Sequence, residues 1–359
     1  MLIILIILEK KEIKQKKMSS ENINENNRIE TDNKKLNIQS VPENEEQNNE
    51  IPEKENQTTE TGLKQNSKMI IMILSIVSLI FLILSLIFII LYATKDDDDK
   101  KTKYKIKEQS VTSTSGQNIY GKVYLPKKKN SNTVILCHGF GGTHEDMVDY
   151  AEYLAEYGYV TYIFDFRGGS PNSKSDGETY EMTPLTEKQD LSDVYEFLVK
   201  QDYTTKGKIY LIGNSQGGFV STLYAADNKD NIAGLLLLFP ALVIPENMRN
   251  EFSNLDEVPD RIDNYLGIMT IGKAYVESVY NIDAYEYLKG YDKQVIILHG
   301  IEDFLVPYTS SVRACQNYGT TCRVILYEGG DHGLNPEVPR KKSLQDTLHF
   351  FNDLIDGVF

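Results

Sequence analysis

The sequence predicts an α/β fold with a mostly parallel sheet, and three observations carry that prediction. Short apolar runs of strand type alternate with amphipathic helical stretches from about residue 103 onward. One of those runs, Ile209 to Ile212, passes through Gly213-Asn214-Ser215-Gln216-Gly217 directly into a helical pattern. An acid and a histidine then follow two later runs, so that Ser215, Asp303 and His332 each stand just past a strand's C-terminal end.

The strands expected are 118–124, 133–136, 159–164, 208–212, 232–238, 294–299 and 323–327, with helices over 145–157, 187–200, 217–228 and 340–355. Helices between consecutive parallel strands cover both faces of the sheet. Between Pro240 and Gln294 lie some fifty residues without a strand of that sheet, and segment 241–293 is expected to form a cap. Tyr265, Tyr275 and Tyr280 in it could supply an aromatic wall or pack within the cap.

Gly-x-Ser-x-Gly between a strand and a helix suits a nucleophile elbow, because Gly213 and Gly217 leave room for the strained turn that lifts a serine hydroxyl clear of the sheet. A plain Gly/Ser turn has the same letters. Its company decides. A serine hydroxyl is a weak nucleophile unless a base takes its proton, so a histidine and an orienting acid must accompany it. Of the five histidines, His138 and His299 end apolar strands before a glycine, His144 opens a helix, and His349 lies in the last helix. His332 remains, in the Gly-rich turn Gly329-Gly330-Asp331-His332-Gly333, and Asp303 lies just past the end of the preceding strand. His138-Gly139-Phe140-Gly141-Gly142 follows another strand and suits an oxyanion loop, with the backbone N–H groups of Phe140 and Gln216 as donors.

The first part of the chain differs. Residues 1–68 contain no aromatic residue, are rich in Asn, Glu, Lys and Gln, and are expected to be a disordered leader. Met1 to Leu8 is apolar but lacks a basic flank and a small-residue cleavage site, and Met18 is an alternative start. Residues 69–94 are twenty-six without a charge, which exceeds the roughly twenty needed to cross a bilayer as a helix. A single transmembrane helix is expected there, followed by a charged linker at 95–102 and the globular domain at 103–359.

Orientation is contested within the sequence. Three lysines precede the span within fifteen residues and six follow it, which favours a cytosolic globular domain. A polar leader without a signal peptide favours the opposite. The second arrangement, with the globular domain outside, is the one expected.

Acids exceed bases, 52 against 38, giving a net charge of −14 that argues against a nucleic-acid partner. Three cysteines make neither a disulfide scaffold nor a zinc site. Cys137 reads as a small buried hydrophobe, and a local Cys315–Cys322 bridge is feasible. No metal or other cofactor is called for.

From about Tyr104 to the end, the chain resembles the α/β-hydrolase fold, and within it the cinnamoyl (feruloyl) esterase branch. The resemblance rests on His138-Gly139-Phe140-Gly141-Gly142, Phe164 to Ser170 with Ser173 to Gly177, Met182-Thr183, Gly213 to Gly218, Val258-Pro259-Asp260-Arg261, Asp303, and Gly330-Asp331-His332. It implies a serine esterase in which Ser215 attacks, His332 is the base, Asp303 orients it, and a cap tyrosine meets an aromatic acyl group. Tyr275, in Thr270-Ile271-Gly272-Lys273-Ala274-Tyr275, matches that tyrosine. Asn214 stands where a histidine is more usual, and an anchored leader is untypical. Two alternatives to a feruloyl-type esterase are a monoacylglycerol lipase or general carboxylesterase at the membrane, and a catalytically silent membrane-tethered binding protein.

Overall fold

The computed structural model describes residues 72–74, 76–80, 82–85, 103–128, 132–204 and 207–358. The chain divides into two units, Met1–Leu91 and Tyr92–Phe359. In the first, the described residues are helical and exposed. Among the described residues no helix is long and apolar enough to cross a membrane. The expected leader 1–68 and the charged linker 95–102 lie outside the described residues, as does much of the expected span 69–94.

The second unit is built on an eight-stranded sheet. Its strands are β1 (Tyr104–Glu108), β4 (Gly121–Pro126), β5 (Thr133–Cys137), β6 (Val160–Phe164), β7 (Ile209–Asn214), β8 (Leu235–Leu238), β11 (Val295–Gly300) and β12 (Cys322–Tyr327). They lie in the order β1-β4-β6-β5-β7-β8-β11-β12. The pairs β1/β4 and β4/β6 are antiparallel, and every other pair in the sheet is parallel. Two small antiparallel ribbons stand apart: β2 (Val111–Thr112) with β3 (Asn118–Ile119), and β9 (Arg261–Tyr265) with β10 (Met269–Gly272). The single strand expected at 118–124 is therefore split, because Tyr120 leaves β3 and donates its N–H to Ser175 Oγ before β4 enters the main sheet.

The central strands are apolar on both faces, as a sheet covered on both sides requires. Helices α1 (Val148–Glu156) and α8 (Glu337–Asp356) pack one face, where Tyr150, Leu154, Phe350 and Phe351 meet Val134, Leu136, Ile212 and Leu298. Helices α2 (Pro184–Leu198), α3 (Ser215–Asp227) and α7 (Tyr308–Tyr318) cover the other, burying Leu191, Val194, Phe219, Leu223 and Ala314. Segment 241–293 folds into α4 (Ile244–Glu251), the β9/β10 ribbon, α5 (Lys273–Tyr280) and α6 (Ala284–Leu288). Its Met248, Ile271, Val276 and Leu288 join the second core.

The register sets the site. β5 has β6 on one side and β7 on the other, so the loops after β5 and β7 leave adjacent strands at the point where the strand order reverses. Cys137 pairs with Gly213, Asn214 with Leu238, and Gly300 with Tyr327. The elbow, the oxyanion loop, the acid turn and the histidine turn thus leave the sheet at one level of its C-terminal edge.

Candidate active site

Ser215 opens α3 with φ at 48°, a left-handed backbone that a non-glycine residue adopts only when its surroundings hold it. Gly213 and Gly217 permit that turn. A Cβ on Gly213 would lie 2.5 Å from Ser221 Oγ, and one on Gly217 would lie 2.6 Å from the Cys137 carbonyl oxygen and closer still to that of His138. Ala241 N–H donates to the Ser215 carbonyl at 2.9 Å, tying the elbow to the chain leaving β8.

The structure brings the three expected side chains together. Ser215 Oγ stands 3.1 Å from His332 Nε2, and His332 Nδ1 is 2.7 Å from Asp303 Oδ2. With Nδ1 donating to the carboxylate, Nε2 is left to accept the serine proton. The other oxygen, Asp303 Oδ1, accepts the N–H groups of Leu305 and Val306, each at 2.9 Å. Burial by itself would raise the Asp303 carboxyl, but the donors from His299, His332 and Val306 hold it well below the usual carboxylate range. The acid and histidine turns are also stitched by Glu302 N–H to the Gly330 carbonyl at 3.0 Å.

The loop after β5 packs against the elbow so closely that a Cβ on Gly139 would sit 3.0 Å from that of Ser215. Its shape depends on His138. Phe166 N–H donates to His138 Nε2 at 3.0 Å, which leaves His138 Nδ1 to donate to the Gly139 carbonyl at 2.8 Å. Complete burial lowers the His138 pKa and keeps the ring neutral. Gly141 N–H bonds the Gly169 carbonyl at 3.0 Å, and Ser170 Oγ donates to the Gly141 carbonyl at 2.9 Å. Phe140 and Gln216, expected as oxyanion donors, therefore belong to two backbone segments that converge beside Ser215.

A cleft of about 250 Å³ opens here, lined by Gly139, Phe140, Ser215, Phe239 and His332, with Tyr150, Asn335 and Arg340 toward α8. The last three escaped the sequence reading. No motif marks them, although Arg340 lies in the first turn of the helix that follows the His332 turn. Arg340 Nη2 donates to the Gly333 carbonyl at 2.9 Å, so it also braces the residue after the base.

Tyr275 is placed differently from its expected role. Its ring is 2 % exposed, it is absent from the cleft lining, and its hydroxyl donates to Gln216 Oε1 at 2.6 Å. Gln216 Nε2 in turn donates to Glu187 Oε2 at 2.9 Å. Burial pushes the Glu187 carboxyl well above its usual range, despite that bond. Tyr265 packs edge-on against Phe140 at 5.7 Å between ring centroids, and Tyr280 donates to the Phe252 carbonyl within the segment. Cys137 is buried and free, and Cys315 is bonded to Cys322. Among the described residues, no cluster of His, Cys, Asp and Glu could hold a metal ion.

Comparison with known proteins agrees with this geometry. A family model described as serine aminopeptidase, S33, matches residues 128–287. A proline iminopeptidase of Saccharolobus solfataricus is 30% identical over 182 residues, 50% of this chain and 54% of that protein, so the chain spans about half the length of this relative. An uncharacterized 31.7 kDa Escherichia coli protein from the traX-finO intergenic region is 35% identical over 231 residues, 60% of this chain and 77% of its own length. Among solved structures, Est1E from Butyrivibrio proteoclasticus with ferulic acid bound superposes with a TM-score of 0.62 at 28% identity, covering 68% of this chain and 99% of that one. The sheet order, the elbow and these likenesses together place the chain in the α/β-hydrolase superfamily of hydrolytic enzymes, to which it belongs.

Proposed function

We propose that the protein is a serine carboxylic-ester hydrolase that works through an acyl-enzyme on feruloyl-type or other small acyl esters. The observation that carries this is His332, which bridges Ser215 Oγ at 3.1 Å and Asp303 Oδ2 at 2.7 Å at a serine held in strained backbone. His332 Nε2 takes the Ser215 proton as Oγ bonds to the ester carbonyl carbon, and the N–H groups of Phe140 and Gln216 receive the oxyanion. The imidazolium, stabilised by Asp303, gives its proton to the leaving alcohol. Water then attacks the acyl-enzyme by the same route, which releases the acid and regenerates Ser215.

A small cleft with Phe140, Tyr150 and Phe239 in its lining suits a compact aromatic acyl group better than a long alkyl chain. The likeness to an esterase solved with ferulic acid supports the same reading. In it Tyr275 acts from behind, through Gln216 and through its edge contact with Phe140 at 6.1 Å.

Attachment to a membrane through residues 69–94, with domain 103–359 outside the cytosol, belongs to the proposal. The uncharged run supports the first part, and the Cys315–Cys322 bridge supports the second, since disulfides persist in oxidising compartments. Protease accessibility of the globular domain in intact cells tests it.

The activity test measures kcat/KM on methyl ferulate, a short-chain aliphatic ester, a monoacylglycerol and a proline arylamide, with Ser215→Ala as blank. Ferulate preference, with turnover in the variant lower by about 10⁴-fold or more, is expected. Preference for the arylamide would replace the esterase by a peptidase on the same triad, and undiminished turnover in Ser215→Ala would remove Ser215 from the chemistry.

A further inference from the structure

A second buried imidazole shares the acid of the triad. His299, the fifth residue of β11, is completely buried and stands four residues before Asp303. Its Nε2 is 3.0 Å from Asp303 Oδ2, the same oxygen that His332 Nδ1 reaches at 2.7 Å. Nε2 also lies 3.0 Å from the Val306 carbonyl oxygen. Facing two acceptors, Nε2 carries the proton. Nδ1 is then an acceptor, and it sits 2.7 Å from Ser311 Oγ on α7, whose hydroxyl donates to it.

Resting on the serine-hydrolase reading above, we propose that His299 is a positioning residue for the acid–base pair: it holds Asp303 Oδ2 in line with His332 and, by sharing that oxygen, moderates how strongly Asp303 stabilises the His332 imidazolium. The carboxylate then has a donor on each side of its contacts. Leu305 and Val306 N–H groups fix Oδ1, while His299 and His332 divide Oδ2. The chain Ser311, His299, Asp303, His332, Ser215 links α7 to the nucleophile through four hydrogen bonds.

The surroundings leave this as the main electrostatic contact of each ring. His332 faces Ser215 from α3, Asp303 from the β11 turn and the Phe239 ring at 4.8 Å between centroids. The charged neighbours are engaged elsewhere: Asp331 on its own turn accepts from Asn335 N–H at 2.8 Å, Arg340 from α8 donates to the Gly333 carbonyl, and Asp146, which lines the same cleft, accepts from Thr143 N–H at 3.2 Å. His299 meets Ser311 from α7, Asp303 and Val306 from the acid turn, and the Phe239 ring at 6.5 Å.

The experiment uses the full chain with His299→Gln, His299→Leu and His299→Met, reading kcat and KM against pH, thermal stability, and labelling of Ser215 by a fluorophosphonate. Gln keeps an N–H near the Nε2 position, whereas Leu and Met fill the space without a donor. The donor-free variants are expected to lose about 10- to 100-fold in kcat with little change in KM, as for loss of a hydrogen bond to a charged group. Their acid limb of kcat/KM should move to higher pH, because an unshared Asp303 raises the proton affinity of His332. Gln should restore most of kcat and the original limb. If Leu does not fold, Met carries the comparison. Folded donor-free variants with the parent pH profile and kcat, or a Gln variant no better than Met, overturn the proposal. Absence of Ser215-dependent labelling in the parent protein would instead overturn the serine-hydrolase reading itself.

Discussion

The Tyr275 hydroxyl donates to the side chain of Gln216, the residue directly after the nucleophile, at 2.6 Å. Segment 241–293 is thereby bonded to the elbow. Tyr275→Phe leaves Gln216 Oε1 buried without its donor, at a cost of about 1–3 kcal/mol. A lower urea midpoint is expected, with KM for methyl ferulate within a few-fold of the parent. A large rise in KM at unchanged stability would instead place Tyr275 against the substrate.

Gly217 has no space for a side chain, since a Cβ there would meet the carbonyl oxygens of Cys137 and His138. Gly217→Ala must push the oxyanion loop away from the elbow. Overpacking of this kind costs about 1–3 kcal/mol, and displacement of the oxyanion donors should reduce kcat more than KM. Thermal melts beside steady-state kinetics check both parts.

The carboxylates divide into two groups with opposite pH signs. Asp165 is fully buried, which would raise it, but bonds from His144 and the Lys174 N–H hold it below its usual value. Asp303 is held down likewise. Their folded pKa values lie below the unfolded value of about 3.9, so their contribution is complete above that pH and is lost as pH falls through the folded values. Glu187 is raised by burial, and burial lifts Asp190 to about 6 against its bonds from Arg167. These two favour the folded state less as pH rises from about 4 toward their folded values. Asp165→Asn should flatten the acid side of a plot of Tm against pH, and Glu187→Gln should flatten the decline toward neutrality. Parallel profiles for variant and parent would contradict both assignments.

Cys315 on α7 is bonded to Cys322, which opens β12 beside Val295. That is the sheet edge opposite the triad. Closing a loop of seven residues' separation contributes about 2–3 kcal/mol in the chain-entropy description. The Cys315→Ala, Cys322→Ala double variant should lose about that much in urea unfolding while keeping the parent kcat.

What the sequence determined by itself was everything that depends on neighbours along the chain. Gly213 to Gly217 could be read because a strained turn between strand and helix needs glycine at fixed spacing around Ser215. Asp303 and His332 could be read because each follows an apolar strand, and parallel strands deliver their C-terminal ends to one edge. Tertiary structure alone decided what meets across that edge. His299 looked like one more strand-end histidine until β11, the acid turn and α7 closed around it. Arg340 and Asn335 reach the cleft only because α8 packs back along the sheet, and Tyr275 turns inward because Gln216 offers a buried acceptor. Such contacts depend on how turns and helices pack back on the sheet, whether four residues apart, as His299 and Asp303 are, or fifty-nine, as Gln216 and Tyr275 are, and no local pattern of polarity or spacing records them.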